Sequence, residues 1–139
     1  MVKQGKQANL ILGNNVLAHN PNLRNFVKAL KIGLMPEGII TLEFPHLLQM
    51  ISQNQFDTIY HEHYSYFSLY TVGKLFREFG LTVFDVEELP THGGSLRIFV
   101  KHDKDKTKPL ENRVAKLLAQ EKEFGLLKKY FQISKIIHV

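Results

Sequence analysis

An α/β fold is predicted by three features of this 139-residue chain: short apolar runs suited to buried strands, apolar stripes at helical spacing between them, and proline or glycine at the junctions. The run ANLILG, from Ala8 to Gly13, reads as a buried parallel strand, and the polar NNVLAHN after it as a loop at the strand's carboxyl end. Asn20 caps the next helix with Pro21 at its first position. Leu23, Phe26, Val27, Leu30 and Leu34 then recur on one face until MPEG stops it. IITLEF, closed by Pro45, is a second buried strand, parallel to the first through a right-handed crossover. A short amphipathic piece, HLLQMISQ, leads into the segment FDTIYHEHYSYFS. Beyond it a helix carries Leu69, Val72, Leu75, Phe76 and Phe79 on one stripe and ends at Gly80. LTVFDVEEL and SLRIFVKH flank the turn PTHGG and pair antiparallel. From about Pro109 a charged amphipathic helix follows, with Leu110, Val114, Leu117, Leu118 and Leu127.

Composition bounds what this fold can do. The chain is 44% apolar and 22% charged, one soluble domain's worth, with no apolar run long enough to cross a bilayer and too short a leading run for a signal peptide. Cysteine is absent, which excludes disulfide and thiolate chemistry and fits a reducing compartment, so a cytoplasmic location is expected. The net charge of +5 lies in the tails: from Asn9 to Val100 there are six Lys and Arg against eight Asp and Glu. That distribution argues against nucleic-acid binding. The run KHDKDKTK, Lys101 to Lys108, alternates in sign as a solvated linker does.

FDTIYHEHYSYFS, Phe56 to Ser68, concentrates two histidines, a glutamate and five aromatic rings in thirteen residues. Taken alone it has two readings. His61 and His63 on one face of a strand would suit a pair of metal ligands, but no third ligand at convincing spacing accompanies them. A histidine beside a carboxylate also suits general-base chemistry near neutral pH. PTHGG divides likewise: its glycines either simply make the turn, or leave bare backbone for a substrate to approach, with His92 and Arg97 near enough to meet hydroxyl or phosphate oxygens. Asn14 and Asn15, at the carboxyl end of a parallel strand, stand where open α/β sheets bind ligands, and Glu43 and Phe44 share that location.

NNVLAH, GIITLEFPHLLQMI, QFDTIYHEHYSYFS and LPTHGGSLRIFV, taken in order, resemble successive blocks of the S-adenosylmethionine-dependent sugar C-methyltransferases, which act on nucleotide-linked 4-keto-deoxyhexoses. The resemblance runs from about Ala8 to Val100. It implies a partial Rossmann-like methyltransferase sheet, its last four strands with the final strand antiparallel, followed by a C-terminal helix. Residues 1–105 would be the C-terminal half of a class I methyltransferase domain and 106–139 a linker helix toward a further domain. No G-x-G loop for the cofactor is present in the sequence, so S-adenosylmethionine would meet this part through Asn14 and Asn15.

By the same resemblance His63 is the candidate base that takes a proton from the sugar carbon next to the ketone. Tyr60, Glu62 and His19 would position the sugar and balance charge, and His92 and Arg97 would bind it. No metal is needed for that step. Four strands leave the first with an uncovered apolar edge, for a complementing polypeptide or for self-association, and the isolated chain is expected to be inactive. The alternative is a catalytically inert remnant or interaction module that docks through that edge. The end of the tail, ISKIIHV, departs from the expected helix.

Overall fold

The computed structural model describes residues 5–55, 57 and 59–127. Strands β1 (Ala8–Asn14), β2 (Leu34–Pro45), β3 (Leu81–Leu89) and β4 (Ser95–His102) form one sheet in the order β1-β2-β4-β3. β2 pairs parallel to β1, whereas β4 lies between β2 and β3, antiparallel to both. This is the expected α/β class, with the last strand reversed. Helices α1 (Leu23–Gly33), α2 (Leu47–Ser52), α3 (Leu69–Arg77) and α4 (Asn112–Glu123) complete it. α1 packs on β2, α3 and α4 pack on β3, and α3 meets α4. The tail from Lys128, including ISKIIHV, lies outside the described residues.

Strand alternation separates a core face from a polar one. Ile40, Leu42 and Phe44 of β2 stand opposite Val100, Ile98 and Leu96 of β4, and all six are buried. Leu69, Val72 and Phe76 of α3 and Leu117 of α4 join the same core. Each such side chain contributes roughly 1.5–3 kcal/mol by leaving water. On the other face, Asn14, Glu43, Arg97 and Glu87 occupy successive register positions on β1, β2, β4 and β3, a transverse row across the whole sheet.

Two boundaries differ from expectation. α1 is capped by Asn22, whose side chain accepts from the Asn25 amide, while Asn20 accepts from the Asn22 amide; two adjacent Asx turns therefore leave Pro21 outside the helix. β2 begins at Leu34, because Ala8 pairs with Leu34 and Leu10 with Ile39, which accommodates MPEG in an irregularity of the strand. As expected, β1 has a partner on one side only among the described residues, and Leu10 and Leu12 are 53% and 69% exposed. The uncovered edge is thus real.

KHDKDKTK is no solvated linker. Lys101 and Asp105 are buried: the Lys101 ammonium donates to the backbone oxygens of Asp105 and Lys108, and the Asp105 carboxylate accepts from the Lys108 ammonium and from the amide and hydroxyl of Thr107. Alternating charge is buried here because each group finds its complement within seven residues. Hydrogen bonds from Lys108 and Thr107 hold the Asp105 carboxyl well below the usual carboxylate range. Its stabilisation is therefore present above the unfolded value of about 3.9 and is lost as pH falls. Asp105→Asn should lower stability at neutral pH, and the gap from wild type should narrow below about pH 4, as read by urea unfolding across pH.

Candidate active site

At the carboxyl ends of β1 and β2, Asn15, His19, Pro45, Asp57, Tyr60, His63 and His92 line a cleft of about 390 Å³. Pro45 ends β2, and three loop segments deliver the other groups, each held by backbone bonds. Asn15 follows β1 in the left-handed region (φ 56°), and its amide donates to the Glu43 carbonyl at 2.8 Å, which extends the parallel pairing by one bond and turns the chain away. Leu17 and Ala18 are buried and anchor the loop that carries His19. The Ala18 carbonyl accepts from the Tyr64 amide at 2.9 Å, tying this loop to the aromatic segment.

The aromatic segment forms a turn and loop rather than a strand. The His63 amide donates to the Tyr60 carbonyl at 3.0 Å, which brings the Tyr60 hydroxyl to 3.0 Å from His63 Nε2. Either atom is the donor, according to the imidazole tautomer. The His63 ring also meets His19 edge-on at 4.8 Å and Tyr66 at 5.8 Å between centroids. It is thus flanked by aromatic rings on the cleft wall instead of lying in the packed core.

Not every expected residue reaches the cleft. The turn sends His61 and Glu62 into solvent, 91% and 64% exposed, with His61 Nε2 4.0 Å from the Glu62 carboxylate. Without strand alternation, His61 and His63 share no face, and Glu62 does not orient the His63 ring. Arg97 is committed to the transverse row, donating at 2.9 Å to both Glu43 and Glu87. The hydrogen bond to Glu43, with the charges of both carboxylates, raises its already high pKa further. Asn14 heads the same row on exposed β1, next to the cleft but not lining it.

Arg97 and Glu43 act through the turn that presents His92. The second oxygen of the buried Glu43 carboxylate accepts from the Thr91 hydroxyl at 3.0 Å. His92, Gly93 and Gly94 then follow at φ of 51°, 75° and 122°. The glycines adopt positive φ freely, whereas the non-glycine His92 persists there because its surroundings hold it. The Gln55 amide nitrogen donates to the Gly93 carbonyl at 2.5 Å, the His46 amide to the Gly94 carbonyl at 3.0 Å, and the Ser95 hydroxyl to the Thr91 carbonyl at 3.1 Å. Gln55 and Asp57 escaped sequence reasoning, since neither carries a spacing signal. Glu43 was placed at the site end of its strand, but its partnership with Arg97 depends on the β2–β4 register.

Residues 2–86 match the family model described as a methyltransferase domain, and residues 90–136 that of a C-methyltransferase C-terminal domain. The chain is similar to C-methyltransferase NovU of Streptomyces niveus, 36% identical over 124 residues, which cover 86% of this chain and 28% of that protein. It therefore spans a little over a quarter of that relative's length. Among solved structures it is similar to LepI in complex with SAM, with a TM-score of 0.55 at 10% identity over 70% of this chain and 27% of that one. It is also similar to magnesium protoporphyrin IX methyltransferase from Synechocystis PCC 6803 with bound SAH, with a TM-score of 0.54 at 12% identity over 71% and 47%. At such identities these two likenesses speak for the fold.

A side chain at Gly94 would place its Cβ 2.8 Å from Gln49 Cβ in a backbone conformation that L-residues rarely adopt. Gly94→Ala is expected to cost about 1–3 kcal/mol in urea unfolding, whereas His92→Asn, which tolerates the left-handed region, should cost less than 1 kcal/mol.

Proposed function

This chain belongs to the methyltransferase-domain family, and we propose that it carries the substrate-facing part of an S-adenosylmethionine-dependent C-methyltransferase acting on a nucleotide-linked 4-keto-deoxysugar in the cytoplasm. The observation that supports this most is the His63 imidazole on the cleft wall, with the Tyr60 hydroxyl 3.0 Å from Nε2 and the His19 ring beside it. A carbon next to a ketone becomes nucleophilic once its proton is removed and the resulting enolate is stabilised. One group must take the proton and another must meet the oxyanion.

In this reading His63 takes the proton from the ring carbon beside the ketone, and the electron pair moves to the ketone oxygen. Tyr60, already turned toward that ring, donates its hydroxyl to the developing oxyanion. His19 limits how the His63 ring can rotate, and His92, held on its constrained turn, meets a sugar hydroxyl or phosphate oxygen. S-adenosylmethionine would supply the electrophilic methyl to the enolate carbon, its methyl–sulfur bond breaking to leave a neutral thioether. Asn15 on the cleft wall and Asn14 on the adjoining edge are the polar groups that would face it from β1, a placement that fits a ligand at the strand tips. Arg97 and Glu43 support the turn instead of touching substrate.

We further propose that residues 1–105 form half of the methyltransferase domain, that 106–139 lead toward another, and that the uncovered edge of β1 pairs with a polypeptide that completes the sheet or with a second copy. The exposed Leu10 and Leu12 favour such docking, and they are equally what an inert interaction module would display. The two readings separate on chemistry.

The test uses a chimaera in which this chain replaces the corresponding part of the Streptomyces relative. His63→Asn should abolish exchange of the proton beside the sugar ketone with solvent and reduce methyl transfer by about 10²–10⁴-fold, leaving sugar-nucleotide affinity nearly unchanged. Retained exchange would remove His63 from the role of base. An inert module predicts no methyl transfer even in the unmutated chimaera. Calorimetric titration of the isolated chain with S-adenosylmethionine should show no micromolar binding.

A further inference from the structure

Glu121 lies in the last turn of a charged helix, α4, yet it is fully buried. One carboxylate oxygen accepts from His46 Nε2 at 2.9 Å and from the Leu69 amide at 2.6 Å, and the other accepts from the Tyr70 amide at 3.0 Å. Leu69 and Tyr70 open α3, where free amides and the helix dipole favour negative charge. That end of α3 already has a cap: Ser68 accepts from the Thr71 amide, and Thr71 returns a bond to the Ser68 amide. Glu121 adds a tie between α3 and His46, which a cap alone does not need.

His46 sits at the junction from which the cleft is hung. Its backbone amide holds the Gly94 carbonyl of the His92 turn, the next amide, of Leu47, holds the Phe67 carbonyl at the end of the aromatic segment, and the preceding residue, Pro45, lines the cleft. Its ring is completely buried, and among the described residues Nδ1 has no hydrogen-bond partner. The bond from Nε2 to Glu121 is thus, among the described residues, the hydrogen bond that this ring makes. Neither His46 nor Glu121 touches the cleft.

We propose that Glu121 is a positioning residue: acting through the His46 ring, it fixes the backbone from which His92 and the aromatic segment reach the cleft. The significance of that placement rests on the cleft being the methyl-transfer site, but the test does not. In the ¹⁵N-labelled chain, the imidazole correlations of His19, His63 and His92 report cleft geometry, and amide exchange at Leu69 and Tyr70 reports the α3 cap. No cofactor or sugar is involved, so this experiment can fail while the methylation reading stands, and the reverse.

His46→Leu should displace the His63 and His92 ring signals beyond the change produced by the surface control Lys116→Ala, while Leu69 and Tyr70 stay protected because Glu121 still caps α3. Glu121→Gln should do both, displacing the rings and speeding exchange at Tyr70 roughly tenfold, since the amide group it introduces cannot accept both backbone bonds. His46→Gln keeps a donor toward Glu121 and should return the rings toward their wild-type positions. Unmoved ring signals in His46→Leu would overturn the proposal and leave Glu121 as a helix cap. If the leucine variant does not fold, the glutamine variant decides: near-native ring signals support the tie, and displaced ones refute it.

Discussion

A carboxylate withdrawn from water must be surrounded by donors, and in this protein Glu121 is surrounded by donors from two separate stretches of chain. Leaving one member of such a buried, hydrogen-bonded set without its partner costs about 1–3 kcal/mol, a sizeable part of a domain's entire margin of about 5–15 kcal/mol. The geometry at the end of β2 is therefore not free to relax. α4 is bound to α3 and to His46 at once, and the cleft loops inherit their starting points from that junction.

A second constraint acts on the opposite face of the sheet. The register that sets Glu43 beside Arg97 and Arg97 beside Glu87 neutralises a nearly buried carboxylate with a guanidinium and leaves one Glu43 oxygen for Thr91. In this turn His92 is a non-glycine residue at positive φ, which is unfavourable by itself. The turn is maintained because Glu43, His46, Gln55 and Ser95 each hold a different atom of it. His92 is presented at the cleft by this turn, so a polar row and a buried hydrogen-bonded pair on different sides of the strand end converge on one histidine.

The chemistry of the cleft follows from grouping rather than from any single residue. An imidazole alone on a surface is an ordinary titratable group. Here it stands 3.0 Å from a phenol hydroxyl and 4.8 Å between ring centroids from a second imidazole, with a third, on the His92 turn, lining the same cleft. This grouping needs only the carboxyl ends of β1 and β2 and the loops after them. The proposed substrate-facing part can thus be well ordered beside a β1 edge that still displays Leu10 and Leu12.

The α/β class, the element order, the antiparallel β3–β4 pair and the exposed edge of β1 were legible in the sequence, because apolar periodicity and turn residues are local signals that burial then enforces. His19, Tyr60, His63 and His92 were legible as candidates through their motifs. Tertiary structure alone decided which candidates meet: Glu62 faces solvent because its segment turns instead of extending, and Arg97 is claimed by two carboxylates from neighbouring strands. It also buried Glu121, which read as an ordinary surface charge. Spacing reports which side chains share a face of one element, whereas the fate of a charge depends on partners that arrive from elsewhere in the chain. Glu121 and His46, 75 residues apart, are the clearest instance.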